Sequence, residues 1–167
     1  GGETRAARGS EASGCGLACI KQTAAGKGKQ NTIVNSRPED SAFGVKFSQL
    51  HAIDLADMDG DGLLDIVTGK RFWAHGPKGD QEPGAPAVLY WFGLTRKGGK
   101  VEYIPHQIDD NSGVGTQVAA GDVNGDGLLD IVVGNKKGAF VHLHSVKKVS
   151  KKQWQAAQPR RDRKSTR

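Results

Sequence analysis

The sequence has little of what builds a large core or crosses a membrane. Hydrophobic residues are 36% of the 167, below the roughly 45–50% of ordinary globular chains even allowing for the glycine counted there. Less than the full length is therefore expected to fold. No apolar run approaches the roughly 18 residues of a membrane span. No basic-then-apolar segment of signal-peptide type is visible, so secretion has no direct mark in these residues. Cysteine is nearly absent, and Cys15 and Cys19 stand as Cys-Gly-Leu-Ala-Cys. With no following His and no second Cys pair, neither haem attachment nor a zinc site is indicated. A local disulfide and a pair of thiols both remain open. Gly-x-Ser-x-Gly elbows, Walker loops and His-Glu-x-x-His are missing too, which removes the common hydrolase, NTPase and zincin signatures.

Positive charge is plentiful but unevenly placed. The chain carries +6, yet nine of its 24 Lys and Arg and one of its 18 acids fall in residues 147–167. That tail is +8 and the remainder −2, so basicity belongs to the tail. It has one aromatic, Trp154, and lacks the interleaved rings of a single-strand binder. A solvated, disordered terminus is expected, and nucleic acid is not expected as a partner.

Three segments differ in texture. Residues 1–43 are rich in small and charged residues and show no sustained period of 2 or 3.6, so they are expected to be poorly structured; Thr32–Val34 alone hints at a strand. Residues 44–146 alternate short β-rich runs with Gly/Asp/Asn clusters. The expected strands are Leu50–Leu55, Leu63–Thr68, Val88–Phe92, Val101–Ile108, Thr116–Ala120, Leu128–Val133 and Phe140–Ser145. Leu-Leu-Asp-Ile-Val-Val is nearly continuous in apolar character, which predicts a strand buried on both faces. Residues 147–167 form the basic tail.

An internal repeat dominates the middle segment. Asp57-Met-Asp-Gly-Asp-Gly-Leu-Leu-Asp-Ile-Val-Thr-Gly69 returns 65 residues later as Asp122-Val-Asn-Gly-Asp-Gly-Leu-Leu-Asp-Ile-Val-Val-Gly134, identical at ten of thirteen positions. Side-chain oxygens at positions 1, 3, 5 and 9, with a carbonyl at 7, suit Ca²⁺, which takes about six to eight oxygens in forgiving geometry. The first set is Asp57, Asp59, Asp61, Leu63 and Asp65; the second is Asp122, Asn124, Asp126, Leu128 and Asp130. Gly62 and Gly127 allow the positive φ that turns the chain back around an ion. Solvated Asx-turns are the plainer reading, but they do not explain alternating acids twice in register. An EF-hand needs flanking helices and a Glu at position 12, where Thr68 and Val133 stand. A dockerin-like pair would be about two dozen residues apart.

The loop followed by Asp-Ile-Val-Val-Gly resembles the FG-GAP/VCBS repeat, which builds the blades of integrin α-chain-like propellers and occurs in secreted bacterial proteins. The resemblance covers about residues 46–146. It implies an all-β fold of β-propeller-type blades, blade 1 over about 46–110 and a partial blade 2 over about 111–146. It also implies one Ca²⁺ per loop, two in total, and a secreted, extracellular or periplasmic setting. A closed propeller has four to eight blades, so the chain is read as a fragment whose further blades lie outside it.

Chemistry beyond calcium has few carriers. Among the five histidines, His51, His75, His106, His142 and His144, the last two share a strand face and read as a surface pair. Asp109 and Asp110 read as an acidic turn. The long segment Lys70–Pro86, with Lys70, Arg71, Trp73, His75 and Asp80, is the best place for a carbohydrate or protein ligand; its duller reading packs Phe72 and Trp73 between blades. The expected function is a non-catalytic extracellular binding or scaffold module. The alternative is the propeller part of a secreted hydrolase or lyase acting through residues 70–86.

Overall fold

Two short runs, Asp65–Lys70 and Asp130–Asn135, set the architecture, because each follows an aspartate loop and lies at the centre of its sheet. In the computed structural model, which describes residues 4–9, 16–25 and 27–161, three antiparallel meanders form. The first contains β1 (Thr4–Gly9), β2 (Leu17–Ala24) and β3 (Lys27–Val34). The second contains β4 (Leu50–Ala56), β5 (Asp65–Lys70), β6 (Leu89–Lys97) and β7 (Lys100–Asp109). The third contains β8 (Val118–Gly121), β9 (Asp130–Asn135) and β10 (Gly138–His142). The fold is all-β, with the strands of the middle segment where alternation and turn residues predict them.

The four-stranded sheet is sandwiched between the other two. Every residue of β5 is buried, as its continuous apolar character requires, and consecutive side chains serve opposite faces. Ile66 joins Phe92, Leu94 and Tyr103 in a core against Leu17, Cys19 and Val34 of the first sheet. Val67 joins Leu89 in a core against Val118, Ile131 and Val133 of the third. This face-to-face stacking of meanders is propeller-like, with no closed ring among the described residues.

The structure differs from the sequence reading in residues 17–34. Leu17 and Cys19 alternate inward from β2 and Val34 from β3, a period of 2 too short to register against the surrounding Lys, Gly and Gln. Cys15 lies outside the described residues. In the tail, Lys151–Ala157 forms a short helix, α1, whose Ser150 and Gln153 make a reciprocal capping box. Its residues are exposed.

Sheets two and three are joined through main chain and one carboxylate. Val114 N donates to Lys70 O at 3.0 Å, Arg71 bridges Val114 in parallel, and Ala120 N donates to Asp54 Oδ2 at 2.8 Å. Gly113 makes the close approach possible: its φ is +60°, and an added Cβ would lie 2.4 Å from Lys70 O. Gly113→Ala combines a left-handed backbone with a clash against main chain. It should lower stability by about 2–4 kcal/mol in urea unfolding.

Candidate functional site

Each aspartate loop leaves the first strand of a sheet and returns as its buried second strand. The residues at position 1 organise the loop. Asp57 accepts amides from Asp61 at 3.0 Å and Gly62 at 2.9 Å; Asp122 accepts the equivalent pair, Asp126 at 3.2 Å and Gly127 at 2.8 Å. The amides of Gly127, then of Gly125 and Asp126, hold the exposed Asp122 carboxyl below the usual range. Asp59 and Asn124 each accept the amide two residues on, as do Asp61 and Asp126. Gly62 and Gly127 both have φ of +84°, the left-handed turn expected of them.

One carboxylate oxygen from each of Asp57, Asp59 and Asp61 lies within 4.8 Å of the others. These three are partly or fully exposed, and a carboxylate has about four lone-pair sites. An amide bond on an oxygen therefore leaves capacity for a cation. The donor set fits a hard ion. In the second loop Asn124 takes the middle place and its Nδ2 donates to Asp126 Oδ2 at 3.1 Å, so two carboxylates face each other across an amide.

Position 9 is different from the rest. Asp65 and Asp130 are both fully buried, and each clamps two backbone amides. Asp65 Oδ2 accepts Met58 N at 3.0 Å and Oδ1 accepts Leu94 N at 2.7 Å. Asp130 Oδ2 accepts Val123 N at 3.0 Å and Oδ1 accepts His144 N at 2.7 Å. Phe92 pairs with Ile66 and His142 with Ile131; Leu94 and His144 each lie two residues further, at one structural position. The long 71–88 connection hides that equivalence from a 65-residue alignment. These latches tie the loop to the sheet's third strand, a role the sequence reading did not assign. The structure thus gathers positions 1, 3 and 5 into one cluster and turns position 9 toward main chain. No carbonyl contact of Leu63 or Leu128 enters this network.

The Lys70–Pro86 segment is drawn inward. Lys70 is buried and donates through Nζ to Ser48 Oγ at 2.7 Å and Gln81 O at 3.2 Å. Asp80 accepts His75 N at 2.7 Å, and Trp73 Nε1 donates to Pro83 O at 3.2 Å. Phe72 stacks on Trp73 at 4.8 Å and lies under Lys137 Nζ, 4.9 Å away on the third sheet's turn. Phe72 therefore packs between sheets, whereas Lys70 and Asp80 are buried rather than solvated.

The histidines do not assemble. His51 and His75 are exposed, His106 stacks on Trp91 with centroids 4.2 Å apart, and His144 lies beyond the end of β10. His142 Nε2 sits 3.1 Å from Ser112 Oγ, a pairing not visible in the sequence. Ser112 is fully buried and its amide donates to Asp109 Oδ2 at 2.5 Å, so this Ser–His contact closes a turn.

Residues 114–141 match the family model described as the FG-GAP repeat. That stretch is similar to the FG-GAP repeat. It takes in the second aspartate loop and all of the third sheet except its last residue, His142. The first loop repeats ten of the thirteen residues of the second and most of its hydrogen bonds. No curated protein and no solved structure matches the chain. The chain is accordingly an all-β stack of antiparallel sheets with one stretch similar to the FG-GAP repeat. No helix among the described residues is long and apolar enough to cross a membrane.

Proposed function

We propose that the chain is a calcium-binding, non-catalytic segment of an extracellular propeller that serves as a binding or scaffold module. The observation that carries it is the Asp57, Asp59 and Asp61 carboxylates gathered within 4.8 Å, with the same loop scaffold rebuilt around Asp122, Asn124 and Asp126. Unneutralised, such carboxylates repel. Bound Ca²⁺ supplies the charge that relieves this repulsion. Amides fix the loop shape before any ion arrives, so little ordering opposes binding. Dissociation constants of about 10⁻⁴–10⁻³ M, usual for extracellular Ca²⁺ modules, suit the millimolar calcium found there.

The outer face of the third sheet supports an incomplete propeller. Val141 and Leu143 alternate with inward Phe140 and His142 and are 55% and 61% exposed, a surface suited to another blade. The hydrolase or lyase alternative needs His75 or Asp80 to meet substrate; Asp80 is buried and holds the His75 amide through Oδ1.

Calorimetric titration tests the site. The wild-type chain should bind two Ca²⁺, and Asp61→Ala and Asp126→Ala should each bind one. Two ions retained by both variants would remove the loops from consideration.

A further inference from the structure

A second concentration of charge, of opposite sign, lies where the first sheet meets the β6–β7 hairpin. A cleft of about 490 Å³ there is lined by Lys21, Lys29, Lys97, Lys100 and Arg161. Glu102 also lines it and is ion-paired with Arg161, leaving the cleft at +4. Among the described residues, no carboxylate pairs with any of the four lysines. Arg161 belongs to the tail but is held here, its guanidinium 5.9 Å from the Phe43 ring.

The register adds an independent observation. Lys21 is the direct cross-strand partner of Lys29, and Lys97 of Lys100. Like charges directly opposite each other destabilise a sheet. Two such pairs, on two different sheets, converge on one concavity. Each wall costs the fold something, and a polyanion between them would turn both repulsions into attraction. Low-dielectric walls of one sign also focus the field within the cleft.

We propose that this cleft binds an acidic polysaccharide through its sulfate or carboxylate groups. Its volume falls in the usual range for ligand sites, about 300–1,000 Å³. Ammonium groups act as point charges without the planar fork of arginine, which suits anionic groups spaced along a chain. Asn31 and Thr95 line the same cleft and offer hydrogen-bonding groups to hydroxyls. No aromatic lines it, so the base stacking on which single-strand binding depends has no platform.

The test titrates the full chain with a fluorescent sulfated uronic-acid hexasaccharide. Binding should weaken steeply as salt rises from about 0.05 to about 0.3 M, where the Debye length falls below about 10 Å. The double variant Lys29→Glu with Lys100→Glu should lose more than about tenfold in affinity, since rejecting charges now face the ligand. Lys147→Glu with Lys148→Glu, an equal charge change outside the cleft, should leave affinity unchanged. Lys29→Glu sets an acid opposite Lys21 and Lys100→Glu one opposite Lys97, so the first variant should melt no lower than wild type. No binding, or equal losses from both variants, would overturn the proposal. So would a ten-residue oligothymidylate binding as tightly as the hexasaccharide.

Discussion

Asp65→Ala, in chelator, should be strongly destabilising below pH 5 and much milder near pH 7, its cost growing as pH falls. The substitution leaves the amides of Met58 and Leu94 buried without acceptors, at about 1–3 kcal/mol each. Against this stands relief of a buried charge. Burial is the main cause that pushes the Asp65 carboxyl up, from 3.8 to about 6, with Asp59 and Asp61 adding to it. A group whose pKa rises on folding contributes stability fully present below its unfolded pKa and lost as pH rises through the folded one. For Asp65 that window is about pH 4 to 6. At pH 7 the ionised form then works against the fold by (6 − 3.8) times about 1.4, or about 3 kcal/mol. Removing the side chain therefore costs about 2 kcal/mol or less near pH 7, where loss and relief offset. Below pH 5 the relief fades and the loss approaches about 4 kcal/mol. Urea midpoints of wild type and variant at pH 7 and pH 5 read this directly. A difference that shrinks on acidification would mean that the latch is not what Asp65 contributes.

This latch also marks the boundary of what the sequence could show. The two loops, their glycines and the strand after each are legible because they depend on residues close in the chain. β5 is legible for the same reason: Asp65, Ile66, Val67 and Thr68 announce burial on both faces before any fold is known. What Asp65 bonds to is not legible. Its partner Leu94 lies on a strand whose distance from the loop differs between the two copies, and backbone amides leave no letter. The first sheet is obscured by dilution. Leu17, Cys19 and Val34 are its contribution to the core, set among lysines and glycines whose composition reads as solvated chain. Lys70 misleads in the opposite sense: lysine is almost never fully buried unless paired, and its partners Ser48 and Gln81 are brought near only by folding. The basic cleft collects residues from four strands and the tail, so charge counting along the chain assigns its parts to separate segments.

Calcium should raise the melting temperature of the chain, and the first loop should account for the larger share. The unfolded chain cannot assemble either ligand set, so stabilisation follows mass action as RT ln(1 + [L]/Kd). At about 10 mM Ca²⁺ and dissociation constants of about 10⁻⁴–10⁻³ M, each site contributes about 1.4–2.7 kcal/mol. Two sites together should shift the melt by on the order of 10 °C for a domain of this size. The asymmetry follows from position 3. Asp57, Asp59 and Asp61 repel one another without an ion, whereas the Nδ2 of Asn124 already donates to Asp126 and relieves part of that repulsion. The ion gains less there. Asp61→Ala should therefore remove more of the calcium-dependent shift than Asp126→Ala, and the double variant should remove nearly all of it. Mg²⁺ should act weakly, since it demands octahedral geometry at about 2.0–2.1 Å and gives up its waters reluctantly. Melts that coincide in excess Ca²⁺ and in chelator would defeat the calcium reading. A larger loss from Asp126→Ala would instead defeat the ranking of the loops and leave calcium binding intact.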